Sequence, residues 1–211
     1  MAKKIKTAEL FSGSKSFSNY AKKLNYETLT FDNVEKYNPD VCIDINLLDP
    51  YHKDLKNLYF LWMSPPCEKF SVCTIGRNWN YDLTPKTQET KNALQLLEHT
   101  IKIIAITKPK YWVIENPRGM MRKVIPKLFE KYKLDFHRET VTYCQYGDNR
   151  MKPTDLFTNI KSFKGKKCKN GDSCHIASPR GSKTGTQALK SAYDRSKIPE
   201  QLFKEIFESI R

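Results

Sequence analysis

No stretch of the sequence approaches the roughly 20 consecutive apolar residues of a membrane span. The lysine-rich start, Met1–Lys6, runs into polar residues without the apolar core of an export signal. A cytoplasmic protein with no membrane contact is the expectation. Cysteine is sparse: Cys42, Cys67, Cys73, Cys144, Cys168 and Cys174 are spaced irregularly, unlike the dense disulfide framework of a small secreted domain, so reduced thiols are expected. No internal repeat marks an array of stacked units. Acidic residues are the other shortage, with 23 Asp and Glu against 37 Lys and Arg and a net charge of +14. Such an excess draws polyanions at long range, which places nucleic acid first among partners and an acidic membrane surface second.

What is present is a foldable chain. Its 211 residues suit one ordinary domain, and 39% hydrophobic with 12% aromatic residues argue against disorder. Short apolar runs predict strands at Lys6–Phe11, Glu27–Phe31, Asp40–Ile43, Leu58–Met63 and Tyr111–Ile114, with a late pair at Phe136–Tyr143 and Thr154–Thr158. A helix is predicted to open at Thr84–Pro85 and run through Leu94, Leu97, Ile101 and Ile104 to Pro109; Met120–Tyr132 and Pro199–Ile210 predict two more. This alternation predicts an α/β fold: a doubly wound, mostly parallel sheet with helices on both faces and ligands at the carboxyl ends of its strands. Only 161–191, dense in Gly, Ser, Thr and Lys, departs from the pattern and reads as a long functional loop.

Three strand-end motifs carry the chemistry. Leu10-Phe11-Ser12-Gly13-Ser14-Lys15-Ser16-Phe17 lets backbone N–H groups approach a ligand, although a Ser/Gly turn is often only a turn. Asp32 and Asp44, at the ends of the next two strands, would project at the same edge, or simply cap and solvate those ends. Ser64-Pro65-Pro66-Cys67-Glu68-Lys69-Phe70-Ser71 holds a thiol on a stiff approach beside Lys69, which suits either a nucleophile of lowered pKa or an inert buried cysteine. In Val113-Ile114-Glu115-Asn116-Pro117 an apolar strand stops at a carboxylate, which desolvation can protonate so that it donates to a ring nitrogen, or which can cap a helix.

In their order these motifs, with Lys108-Pro109-Lys110-Tyr111-Trp112 leading into Glu115-Asn116, Tyr146-Gly147, Arg150-Met151-Lys152 and Ile198-Pro199-Glu200-Gln201-Leu202, resemble the cytosine-5 DNA methyltransferases over nearly the whole chain outside 161–191. The resemblance implies a Rossmann-like class I fold dependent on S-adenosylmethionine, with a methyl group transferred to carbon 5 of cytosine through a covalent cysteine adduct on a flipped base. It makes Cys67 the nucleophile and Glu115 the acid at ring nitrogen 3, with Asn116 holding the loop and Arg150 near the ring oxygen or adjacent backbone. Phe11, Ser12, Gly13, Ser14, Ser16, Phe17, Ser64 and Pro65 would line the cofactor site, Asp32 would meet the ribose, and Asp44 with Ile45 the adenine.

The catalytic domain is then 1–160 with 192–211, and 161–191 stands where the family places a much larger target-recognition region. Lys69, Ser71, Lys152, Lys164, Lys166, Lys167, Lys169 and Arg180 would contact nucleic acid. Duplex DNA is favoured, with single-stranded DNA, RNA or a nucleotide, or an inactive binding module, as alternatives. The sequence departs from the family in its Ser-Gly-Ser turn, its shortened arginine motif and Arg195-Ser196 before the closing helix. Cys168, Cys174 and His175 form a C-x5-C-H cluster with no fourth ligand evident, so no metal is expected.

Overall fold

The structure is a computed structural model that describes residues 4–177, 189 and 191–211. Along the chain it forms β1 (Lys6–Leu10), α1 (Ser16–Lys23), β2 (Glu27–Asp32), β3 (Val41–Cys42), β4 (Phe60–Met63), α2 (Ile75–Asn78), α3 (Gln88–Thr107), β5 (Tyr111–Pro117), α4 (Met121–Lys131), β6 (His137–Thr142), β7 (Pro153–Thr158), α5 (Ala192–Ser196) and α6 (Glu200–Ser209). The sheet has seven strands in the order β3-β2-β1-β4-β5-β7-β6. Its first five are mutually parallel, and β7 runs antiparallel between β5 and β6. Leu10 stands beside Phe31 and Met63, and Met63 beside Ile114, so the ends of β1, β2, β4 and β5 fall at one edge.

Alternation along the buried strands builds two cores, because successive side chains point to opposite faces. Leu61, Met63, Trp112, Ile114 and Phe157 pack with Leu97, Ile101 and Ile104 of α3 and with Val124, Ile125 and Phe129 of α4. Phe60, Trp62, Val113 and Leu156 pack on the other face with Phe17 and Ala21 of α1 and Leu202, Phe203, Ile206 and Phe207 of α6. Helices on both faces match the sequence expectation.

One local expectation shifts. The long helix starts after Thr87, whose hydroxyl accepts from Thr90 N at 3.2 Å, because Pro85 is bridged to Trp79 in the preceding turn. Helix α1 carries no cap of its own: Lys15 at its N-cap position lies at φ 55 with no side-chain cap bond. Its cap comes from the sheet, where buried Glu9 of β1 accepts from Phe17 N at 3.3 Å and Ser18 N at 2.9 Å. Burial pushes the Glu9 carboxyl up to about 7 despite these bonds.

Candidate active site

Cys67 lies on the loop that leaves β4, and that loop is pinned from several sides. Pro65 is buried, and its carbonyl accepts from Asn116 Nδ2 at 2.9 Å. Further on, the Phe70 carbonyl accepts from Met120 N at 2.7 Å, the Lys69 carbonyl accepts from Trp79 Nε1 at 2.7 Å, and Ser71 bridges to Gly119. A Cβ on Gly119 would stand 2.2 Å from the Phe70 carbonyl oxygen, so this close backbone approach requires glycine.

Glu115 and Lys152 act electrostatically on the Cys67 thiol. Glu115 is buried at the end of β5, where it accepts from Tyr143 Oη at 2.8 Å and lies 4.0 Å from Lys152 Nζ. Lys152 Nζ also sits 4.9 Å from the centre of the Tyr143 ring and donates to the Arg195 carbonyl at 3.1 Å. Burial raises the Tyr143 hydroxyl well above its ordinary range, reinforced by the Glu115 carboxylate. The Cys67 thiol is likewise raised by burial, with Lys152 pulling the other way. The expected lowering beside Lys69 is therefore corrected: desolvation outweighs the cations, and the cation that counts is Lys152 at the start of β7.

Of the two expectations for Arg150, ring oxygen or adjacent backbone, its contacts are with backbone. Its guanidinium is spent on the Asp148 carboxylate and on the carbonyls of Asp194, Arg195 and Lys197, the last three at 3.1, 3.2 and 2.9 Å. It ties the β6–β7 connection to α5, while Lys152 is the cation that reaches the pocket.

At the β1–β3 end the turn residues are held by backbone contacts. Phe11 and Gly13 take positive φ values of 59 and 34. Gly13 N donates to Asp32 Oδ2 at 2.8 Å, and Val34 N donates to Asp32 Oδ1 at 2.9 Å. Ser14 and Ser16 hydroxyls meet at 2.8 Å, and Ile198 N donates to Ser16 Oγ at 3.2 Å, which seats the start of α6 against the turn. Ser64 Oγ accepts from Trp62 Nε1 at 3.0 Å. Asp44 is exposed and caps a short 3-10 turn by accepting from Asn46 N at 2.9 Å. Two assigned side chains belong to the cores. Phe17 is fully buried among Phe60, Trp62, Phe203 and Phe207, and Ile45 is buried in the other core, against which Phe11 of the turn also packs.

Ser12 Oγ is buried at this turn with no partner among the described residues, a polar atom that a bound polar ligand would satisfy. The residues therefore fit a nucleotide-like cofactor at the carboxyl edge.

Lys164, Lys166, Lys167 and Lys169 are exposed; Lys164 lies 3.7 Å from Glu139 and Lys166 lies 2.8 Å from Glu205. Arg180 lies outside the described residues. The fold brings Cys144 beside Cys168, Cys174 and His175, a fourth potential donor that spacing did not reveal. Sequence reading also missed Glu9, Gly119 and Tyr143. Nothing local marks Glu9 or Tyr143, and Gly119 carried only the weak signal of a glycine just after Glu115-Asn116-Pro117.

The family profile described as C-5 cytosine-specific DNA methylase matches residues 5–144. A protein of Frog virus 3 (isolate Goorha), described as "Probable DNA (cytosine-5)-methyltransferase", is 33% identical over 179 residues, covering 81% of this chain and 78% of that one. Among solved structures, the Entamoeba histolytica methyltransferase EhMeth superposes with a TM-score of 0.56 at 17% identity, covering 79% of this chain and 58% of its own. The S. pombe Dnmt2 methyltransferase gives 0.53 at 16%, covering 78% and 52%. This chain thus spans little more than half the length of the solved structures it matches, which share its Rossmann-like fold. The profile match takes in the Cys67 loop and the Glu115–Asn116 strand end, and with the viral relative it shows that the chain belongs to the C-5 cytosine-specific DNA methylase family.

Proposed function

We propose that this chain transfers a methyl group from S-adenosylmethionine to carbon 5 of cytosine in DNA, through a covalent Cys67 adduct on a base flipped out of its stack. The observation that carries the reading is that buried Glu115 is bonded by Tyr143 and approached by Lys152, both Glu115 and Lys152 act electrostatically on Cys67, and Asn116 fastens the loop that bears the thiol. The Cys67 sulfur bonds to carbon 6 as the 5,6 double bond opens, and electron density moves to carbon 5. Glu115, held by the Tyr143 hydroxyl, would meet ring nitrogen 3. Lys152 supplies positive charge to a thiolate that burial otherwise disfavours. After transfer, water takes the carbon-5 proton, its bonding pair restores the 5,6 double bond, and the carbon–sulfur pair leaves with Cys67 as the thiolate. Both carbons are shielded within a duplex stack, so the base must leave it.

S-adenosylmethionine, when bound, supplies an electrophilic methyl group. Phe11, Ser12, Gly13, Ser14 and Ser16 would form its cradle with Ser64 and Pro65, Asp32 would meet its ribose, and Asp44 with the Ile45 backbone its adenine. Phe17 supports this turn from the core. Lys69, Ser71 and the lysines of 161–191 would meet the phosphate backbone. Because only about thirty residues occupy the place of a recognition region, the same chemistry on single-stranded DNA or RNA is the second reading.

Transfer of labelled methyl to duplex DNA, single-stranded DNA and RNA in parallel, followed by identification of the modified base, tests both. Label in 5-methylcytosine of duplex DNA is expected. Label confined to RNA or to single strands selects the second reading, and label at another base overturns the mechanism. DNA carrying 5-fluorocytosine should trap a covalent complex, since fluorine cannot leave carbon 5 as a proton.

A further inference from the structure

Three thiols and one imidazole converge outside the pocket, on groups that the methyl-transfer chemistry does not use. Cys144 belongs to the 3-10 turn Tyr143–Tyr146 that follows β6, whereas Cys168, Cys174 and His175 come from the irregular segment after β7. Cys144 Sγ lies 3.1 Å from Cys168 Sγ and 3.6 Å from Cys174 Sγ. His175 Nδ1 lies 3.8 Å from Cys168 Sγ and 3.6 Å from Cys174 Sγ, and all four donor atoms fall within 4.8 Å of one another. A tetrahedral zinc ion with Zn–S near 2.3 Å and Zn–N near 2.0 Å separates its donors by about 3.5–3.8 Å; three of the four separations above fall there, and a modest adjustment would bring in the rest.

We propose that Cys144, Cys168, Cys174 and His175, through Nδ1, form a structural zinc site that staples the basic segment after β7 to the turn after β6. Four protein ligands close the coordination shell, leaving no position for a reacting water, so the site is structural rather than catalytic. Outer contacts already orient the ligands: Gln145 Nε2 donates to Cys174 Sγ at 3.2 Å, and Cys168 N donates to Thr142 Oγ1 at 2.8 Å. Thr142 N donates to the Lys166 carbonyl at 3.0 Å and Lys166 N donates to Tyr146 Oη at 2.9 Å, so the segment reaches the cluster along β6. The staple sits one residue from Tyr143, the partner of Glu115, and on the segment that carries Lys164, Lys166, Lys167 and Lys169. It would hold a short recognition element without a core of its own, as metals do in small modules. A Cys144–Cys168 disulfide is the rival; it would leave Cys174 and His175 without a role.

The test is elemental analysis of the full chain purified from zinc-supplemented cells without chelator. About one zinc per chain is expected, retained in a Cys42→Ser/Cys73→Ser control and lost in Cys168→Ser/Cys174→Ser. Cobalt exchanged into the wild-type protein should give a thiolate-to-metal charge-transfer band. Chelation should then expose residues 161–177 to protease while the sheet stays protected. Should the double variant fail to fold, a native thiol titration decides on the wild type: three thiols protected until a chelator is added support the site. Metal-free protein with all six thiols reactive, or a Cys144–Cys168 disulfide found by mass spectrometry of unreduced protein, overturns it.

Discussion

The β4–β5 end of the sheet and its β1–β3 end lie on the same edge but are built differently. At the first, groups far apart in the chain hold one another: Asn116 reaches Pro65 across 51 positions, Tyr143 reaches Glu115 across 28, and Gly119 lets the Phe70 backbone come into contact. At the second, bonds between near neighbours, as in Asp32 with Val34, Ser14 with Ser16 and Asp44 with Asn46, stand beside longer ones, Gly13 to Asp32 across 19 positions and Ile198 to Ser16 across 182. The thiol is thus placed by tertiary packing, and the turn by its own backbone torsions together with bonds to Asp32 and to the start of α6. Substitutions remote from Cys67 should therefore damage chemistry, whereas cofactor affinity should depend chiefly on the turn itself.

The sharpest division is expected from Cys67→Ser, which should abolish methyl transfer and keep cofactor binding, since a hydroxyl is far less ionised than a thiol. Turnover by the purified variant would remove Cys67 as nucleophile. Next in size, Gly119→Ala must displace the Phe70 carbonyl and with it the Cys67 loop. Single-turnover transfer should fall by roughly a hundredfold, as a misplacement of about 1 Å can cost, with cofactor affinity unchanged by calorimetry. Equal losses of both would break the comparison.

Lys152→Met should slow transfer less and move the rising limb of the pH–rate profile to higher pH, because the cation that opposes the burial of Cys67 is gone. A profile unmoved would mean that Lys152 does not act on the thiol.

On the opposite side of the sheet edge, Glu9 sets a stability effect. Its carboxyl titrates near 7 when folded and near 4.5 when unfolded, so folding favours the protonated form. Stability is full below the unfolded value and falls as pH rises toward 7, by roughly 3 kcal/mol at about 1.4 per unit. Denaturant unfolding of Glu9→Gln should lose most of this slope; an unchanged slope would assign it to another group. The smallest effects should come from the basic segment. Replacing Lys164, Lys166, Lys167 and Lys169 should lower the salt slope of DNA binding by about one unit per phosphate contact. Lys164 and Lys166, which already face Glu139 and Glu205, should lose less than Lys167 and Lys169. An unchanged slope after all four replacements would move the nucleic-acid surface elsewhere.

The alternation of strand and helix, the two-faced sheet and the strand-end positions of Cys67, Glu115 and Asn116 were legible in the sequence, because each depends on a local run of apolar residues and the turn that stops it. A turn of small residues at Gly13 was legible for the same reason; its left-handed torsions, which extend to Phe11, were not. Other features depend on which segments meet. Cys144 becomes a fourth donor only when the turn after β6 packs on the segment after β7. Glu9 caps α1 only across the strand–helix contact, and Lys152 replaces Arg150 at the pocket only because Arg150 is drawn to the backbone of α5. Phe17 looked like a turn residue and is core, since burying an aromatic ring stabilises more than exposing it at an edge. Turn composition and apolar periodicity are properties of a few consecutive residues, and the sequence states them. Charge pairing, desolvation and ligand convergence are properties of distances between distant residues, and only the folded chain decides them.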